Sequence, residues 1–238
     1  MKTQRGTRAL NIIAALLIVA ASTPSAYGMQ KTEQFRFRVL LDDKEIGYHD
    51  FTVTSQGKRE VVESRAEFDV RLLFVPVYSY RHQNTEVWHD GCLTRIRART
   101  DDNGKNYDVR GELGPHSFQL VTQDDTQSLS RDCVMTFAYW RRGFLKQPRL
   151  LNSQTGELIE VEVQPLEDVR YSLPSDAVQA DGYRIRARHE ELDIRVWYAR
   201  DGGKWLALES TVKGGRTLTY LPKTTAGQVL ARNEQPGG

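Results

Sequence analysis

Cysteine is scarce in this chain, and so are long apolar runs, charge of one sign and linker-like stretches. Each shortage excludes something. Two cysteines, Cys92 and Cys133, cannot supply the paired Cys-x-x-Cys motifs of a structural zinc site. The five histidines, His49, His82, His89, His116 and His189, never stand at the His-x-x-x-His spacing that sets two ligands on one helical face. The longest apolar run, Leu10 to Ala21, is about a dozen residues, short of the roughly 20 that span a bilayer. Basic residues are interleaved with acids, as in Arg95, Arg97 and Arg99 before Asp101 and Asp102, so no stripe suited to a phosphate backbone forms and nucleic acid is not an expected partner. No Gly-x-Ser-x-Gly elbow or comparable nucleophile signature occurs, and no catalytic residue, metal site or cofactor is assigned. No Ser/Gly-rich or Pro-rich linker divides the chain, so residues 29–222 are expected to form a single domain.

The amino terminus is more informative. Lys2, Arg5 and Arg8 precede the apolar run, and small residues follow it to Ala26, Tyr27 and Gly28, the order of a cleavable secretory signal. Cleavage is expected after Gly28, or after Ala26 as second choice. No Cys lies near that site to carry a lipid, and the mature chain is expected to be soluble, without a transmembrane anchor, in the periplasm. Removal of residues 1–28 takes away three basic residues and no acid, leaving 30 basic against 31 acidic residues, which is near neutral. Export also bears on the cysteines. In an oxidising compartment Cys92 and Cys133 are expected to pair; the competing reading, a reactive thiol beside a His, has no histidine adjoining either cysteine.

Apolar and polar residues alternate through most of the mature chain, the period of half-buried strands. Phe35, Phe37, Val39 and Leu41 share one face of the first strand, with Arg36, Arg38 and Leu40 on the other. Further strands are expected around Ile46–Val53, Val61–Val70, Val77–Trp88, Leu93–Thr100, Ser117–Thr122, Leu158–Val163, Tyr183–His189, Asp193–Tyr198, Trp205–Val212 and Thr217–Tyr220. Asn103-Gly104 is the strongest hairpin signal, since both residues tolerate the positive φ of a type I′ turn. The acidic run Asp101-Asp102-Asn103-Gly104 is not a calcium loop: with Gly104 in the sixth position, Arg99 and Arg110 would occupy the first and twelfth. Residues 223–238 lack apolar pattern and are expected to be a loose tail. One segment breaks the alternation. Ser130 or Asp132 can cap a helix, and Cys133, Phe137, Trp140 and Phe144 then fall on one face, predicting a short helix over 130–144 packed on the sheet; an aromatic strand is the alternative.

Aromatic residues gather before Cys92 and after Cys133. They are core first; the sharper reading is a ligand-binding groove formed by Tyr80, His82, Trp88, Phe137, Tyr139 and Trp140.

Several pieces carry a resemblance: Phe68-Asp69-Val70, Tyr80-Arg81-His82, Glu86-Val87-Trp88, Gly91-Cys92-Leu93, Asp101 to Gly104, Cys133 to Trp140, Arg149 to Asn152, Gln154-Thr155-Gly156 and Trp205 to Ser210. Together they resemble an uncharacterised family of exported bacterial proteins classed as a domain of unknown function. The order of elements is more distantly similar to periplasmic β-spiral or β-roll families, one of them linked to cell-envelope integrity. The resemblance implies a mainly β fold, a long antiparallel sheet curled into an open barrel or spiral with the one short helix covering its concave side or end. It supplies no catalytic residues. The expected function is non-enzymatic support of the cell envelope through a partner protein or envelope component. An alternative is a carrier holding a lipid or other apolar ligand against Tyr80, Trp88, Phe137 and Trp140; a hydrolase is a second alternative. An apolar void of several hundred cubic ångströms would favour the carrier, and a hydrolase needs a His within about 3 Å of a nucleophile in a cleft.

Overall fold

The computed structural model describes residues 29–167, 170–172, 177–189 and 191–223; the expected leader and the tail beyond Lys223 lie outside them. Eight strands form an antiparallel meander: β1 (Lys31–Leu41), β2 (Lys44–Gln56), β3 (Arg59–Leu72), β4 (Val75–His89), β5 (Cys92–Asp102), β6 (Lys105–Leu113), β7 (Ser117–Val121) and β8 (Thr126–Ser130). A crossing segment then leads to β9 (Arg149–Leu151), β10 (Leu158–Leu166), β11 (Arg170–Ser172), β12 (Ala177–Ala187), β13 (Asp193–Ala199), β14 (Trp205–Val212) and β15 (Arg216–Pro222). β15 returns to β1, with Val39 opposite Tyr220, and joins the two runs into one 15-stranded sheet that starts at β8 and ends at β9. β11 lies off that path, paired to β12. The sheet curls but does not close, since no ladder joins β8 to β9 among the described residues.

Period-two alternation sets the inner face. Along β5, Ile96, Ala98 and Thr100 are buried while Arg95, Arg97 and Arg99 face out. In β1, Phe35, Phe37, Val39 and Leu41 are buried as the alternation requires; a register shift between Val39 and Leu40 leaves Leu40 buried as well. The concave side holds an aromatic core, in which the Phe37 and Trp205 rings lie 4.3 Å apart and Tyr139 and Trp205 5.4 Å apart. β15 extends to Pro222, and the Lys223 N–H donates to the Arg36 carbonyl at 2.8 Å.

The helix expected over 130–144 does not form. Residues 131–148 cross the concave side as an irregular segment with a single 3-10 turn, Arg142–Lys146. Burial gives the reason. Met135, Thr136, Ala138 and Phe144 are all buried, so the segment has no solvated face of the kind an amphipathic helix needs. Its carbonyls are also engaged elsewhere: Val134 accepts from the Leu93 N–H at 2.9 Å and Met135 from the Leu151 N–H at 2.8 Å. A helix would draw those oxygens into its own ladder. The strand alternative is met only at one bridge, Thr136 to Leu151. Cys92 and Cys133 are joined in a disulfide, which ties the start of the segment to the start of β5. On the far side the β9–β10 turn packs against the end of β7, where a Cβ on Gly156 would meet Thr122 Cγ2 at 2.4 Å; with φ at +82°, this position suits only glycine.

Candidate functional site

Alternation along β4 turns Tyr80, His82, Asn84, Glu86 and Trp88 to the concave side, and His82, Asn84 and Glu86 are buried there. β2 brings His49 and Phe51 and β3 brings Ser64; the crossing segment lies over them with Thr136, Phe137, Tyr139 and Trp140. Together with Asn152, Ser153 and Gln154 of the β9–β10 turn and Leu192 and Ile194, these residues line a pocket of about 170 Å³. The Tyr80 hydroxyl donates to Gln154 Oε1 at 3.1 Å, which holds the turn against β4.

The pocket is aromatic on its walls and polar on its floor. Glu86 accepts from Asn84 Nδ2 at 2.8 Å, Trp88 Nε1 at 2.9 Å and Thr136 Oγ1 at 3.2 Å. Burial raises its carboxyl group to about 7, against the pull of those three hydrogen bonds. No cation forms an ion pair with it among the described residues. His49 Nδ1 lies 3.2 Å from the Tyr220 hydroxyl and His82 Nδ1 2.8 Å from Thr100 Oγ1, with the two rings edge to face at 6.4 Å. Burial lowers the pKa of His82 to about 4; burial and then the neighbouring His82 push His49 well below its ordinary value. Both imidazoles are therefore neutral near pH 7. Burial likewise raises the hydroxyls of Tyr80, Tyr139 and Tyr220, keeping them protonated as donors.

Three buried polar atoms of pocket residues have no protein partner: His49 Nε2, Asn84 Oδ1 and Trp140 Nε1. Buried polar groups are ordinarily paired, so these three atoms mark the residues around the pocket as a part of the interior whose polar groups the protein leaves unsatisfied.

Of the six residues expected to form a groove, Tyr80, His82, Phe137, Tyr139 and Trp140 line the pocket. Trp88 lies behind it, giving its N–H to Glu86 and meeting the Trp140 ring edge-on at 5.9 Å. The expectation missed His49, Asn84 and Glu86 as pocket residues. For Asn84 and Glu86 the signal was present as polar side chains at alternate positions of β4, but the opposite face carries Arg81, Gln83 and Thr85, and alternation between polar residues gives no direction; His49 stands on β2, beside the apolar Phe51. The His-to-hydroxyl distance expected of a hydrolase occurs between His82 and Thr100, but Thr100 does not line the pocket. Among the described residues, no group of three or more His, Cys, Asp or Glu is placed to hold a metal ion, and no helix is long and apolar enough to cross a membrane.

A model of a domain of unknown function, DUF6134, matches residues 37–223, from within β1 to the end of the described chain. No curated protein matches. Among solved structures, the chain is similar to the β-barrel-like protein of domain of unknown function DUF1849 from Brucella abortus, with a TM-score of 0.60 and 10% sequence identity over 80% of this chain and 95% of that one. At that identity the likeness concerns the fold.

Proposed function

We propose a function from the pocket itself for this chain, which belongs to the DUF6134 family, a domain of unknown function: it is an exported, non-enzymatic binding protein of the cell envelope that holds a small ring-bearing polar molecule, or such a group projecting from a larger envelope component. The observation that carries this reading is the set of three unpartnered polar atoms, His49 Nε2, Asn84 Oδ1 and Trp140 Nε1, all on residues that line one aromatic-walled pocket. A pocket of about 170 Å³ has room for one ring; drug-sized ligands occupy about 300–1,000 Å³. A polar floor and this volume favour a ring with hydrogen-bonding substituents over an acyl chain. Support for binding over catalysis comes from the absence of a hydroxyl or thiol nucleophile beside a histidine among the pocket residues. Support for export comes from the amino-terminal pattern of basic, apolar and small residues.

Phenol is a suitable probe because it offers one ring, one donor and one acceptor. Titration followed by chemical-shift changes should give saturable binding with a dissociation constant in the roughly millimolar range, as its few heavy atoms allow. Ser64→Leu, which places apolar bulk at the pocket wall, should abolish those changes while the protein stays folded. Phenol that shifts no pocket resonance, or that binds the variant as well as the wild type, would refute this assignment.

A further inference from the structure

Five consecutive hairpins of the meander close with two-residue turns. Four of these turns are polar or contain glycine: Asp42-Asp43, Gly57-Lys58, Asp90-Gly91 and Asn103-Gly104. The β3–β4 turn is Leu73-Phe74. Leu73 sits at φ +56°, in the left-handed region that Asn and Gly occupy at low cost and a bulky apolar residue does not. Both side chains are exposed, Leu73 to 85% and Phe74 to 92%, and Val75 and Val77 beside them are exposed to 63% and 49%. Neither backbone conformation nor core packing asks for apolar residues at this turn.

The turn also stands clear of the sheet. β3 pairs with β2 only as far as Phe68, opposite Gly47, and β4 pairs with β5 only as far as Tyr80, opposite Asp102. From Val70 to Tyr78 the strands pair with each other alone, and a lone two-stranded ribbon gains little stability in water. Behind the tip, Lys44 Nζ donates to the Arg71 carbonyl, and neither Lys44 nor Arg71 has a carboxylate partner among the described residues. The neighbouring acids Asp69 and Asp42 are engaged by Arg81 at 3.0 Å and Arg216 at 2.6 Å, which leaves Asp43 as the acid not so paired on the adjoining turn.

We propose that the β3–β4 arm docks on an anionic lipid surface, with Leu73, Phe74 and Val75 inserted among the upper acyl chains and Arg71 and Lys44 at the headgroup layer. Shape and charge commit it to that partner. The apolar residues form a convex tip suited to a yielding medium, and Arg71 stands one position behind Leu72, the last strand residue before the turn, so its charge lies at the base of the apolar tip. Unpaired cations at that height match anionic headgroups.

The test uses the chain from Met29, which carries all fifteen strands, and vesicles of phosphatidylcholine with or without phosphatidylglycerol. Wild type should sediment with the anionic vesicles and much less with the neutral ones. Phe74→Asp should lower partitioning by roughly tenfold or more, given the apolar contact it removes, with an unchanged thermal midpoint because the residue is exposed. Phe74→Trp should retain binding, and the emission it adds should shift to the blue on binding and be quenched by brominated lipid. Wild type that stays in solution with both vesicles, a Phe74→Asp variant that binds as well as wild type, or a Phe74→Trp variant whose emission does not shift would overturn the proposal; so would docking of the arm to a protein without binding to lipid. Ser64→Leu should partition as wild type does, so failure of the pocket reading and failure of this one are separable.

Discussion

Glu86 is a carboxyl group enclosed by three donors without a cation, and this arrangement makes it a proton-sensitive element of the interior. Its folded value of about 7 lies above the ordinary 4.5, so the folded protein binds an extra proton between those pH values. The stability that the neutral acid confers is complete below about pH 4.5 and is lost as pH rises through about 7. The shift corresponds to about 3 kcal/mol. His82 acts in the opposite sense: its value of about 4 in the fold means that stability is lost as pH falls from its ordinary 6.5. The comparison that isolates Glu86 is therefore between wild type and Glu86→Gln. The variant should gain about 3 kcal/mol relative to wild type between pH 4.5 and 7 in urea unfolding; a constant difference across that range would contradict the raised value. Little of this was legible beforehand. His82 could be named from its aromatic neighbours, but the burial that makes Glu86 unusual depends on Thr136 arriving from a segment fifty positions away.

At the scale of elements, the crossing segment is where sequence and structure part. Strand positions were readable because alternation is local: Phe35 to Leu41 or Leu93 to Thr100 carry their own inner and outer faces. The segment from Cys133 to Phe144 carries a helical period, but its environment is decided by β5 and β9, whose Leu93 and Leu151 N–H groups take the carbonyls a helix would use. Its anchor could be foreseen, since two cysteines in an expected exported chain leave one pairing. The bond closes a loop with a sequence separation of 41, for which the chain-entropy account gives about 4 kcal/mol. Paired Cys92→Ser and Cys133→Ser substitutions should lower unfolding stability by about that amount, and the unreduced wild type should show no labelled thiol. Two reactive thiols in the native wild type would refute the bond.

On the scale of the molecule, the chain lays down β1 to β8 outward from one edge of β1, crosses the concave face, and lays β9 to β15 back toward the other edge. The crossing segment thereby becomes both the lid of the curled sheet and one wall of its pocket. This order was not readable from the sequence, because the β1–β15 pairing joins residues such as Phe37 and Pro222 that share no local signal. The same topology explains why the interior keeps a small pocket in place of a wide chamber: Phe137, Tyr139 and Trp140 occupy space that an empty barrel would leave open. We propose that a ligand fills the remaining space. Native mass spectrometry of the intact protein, purified without denaturation from its own host, reads its presence. Wild type should carry a bound small mass that is absent from Ser64→Leu; wild type carrying no added mass, or both proteins carrying the same one, would refute a ligand in the pocket.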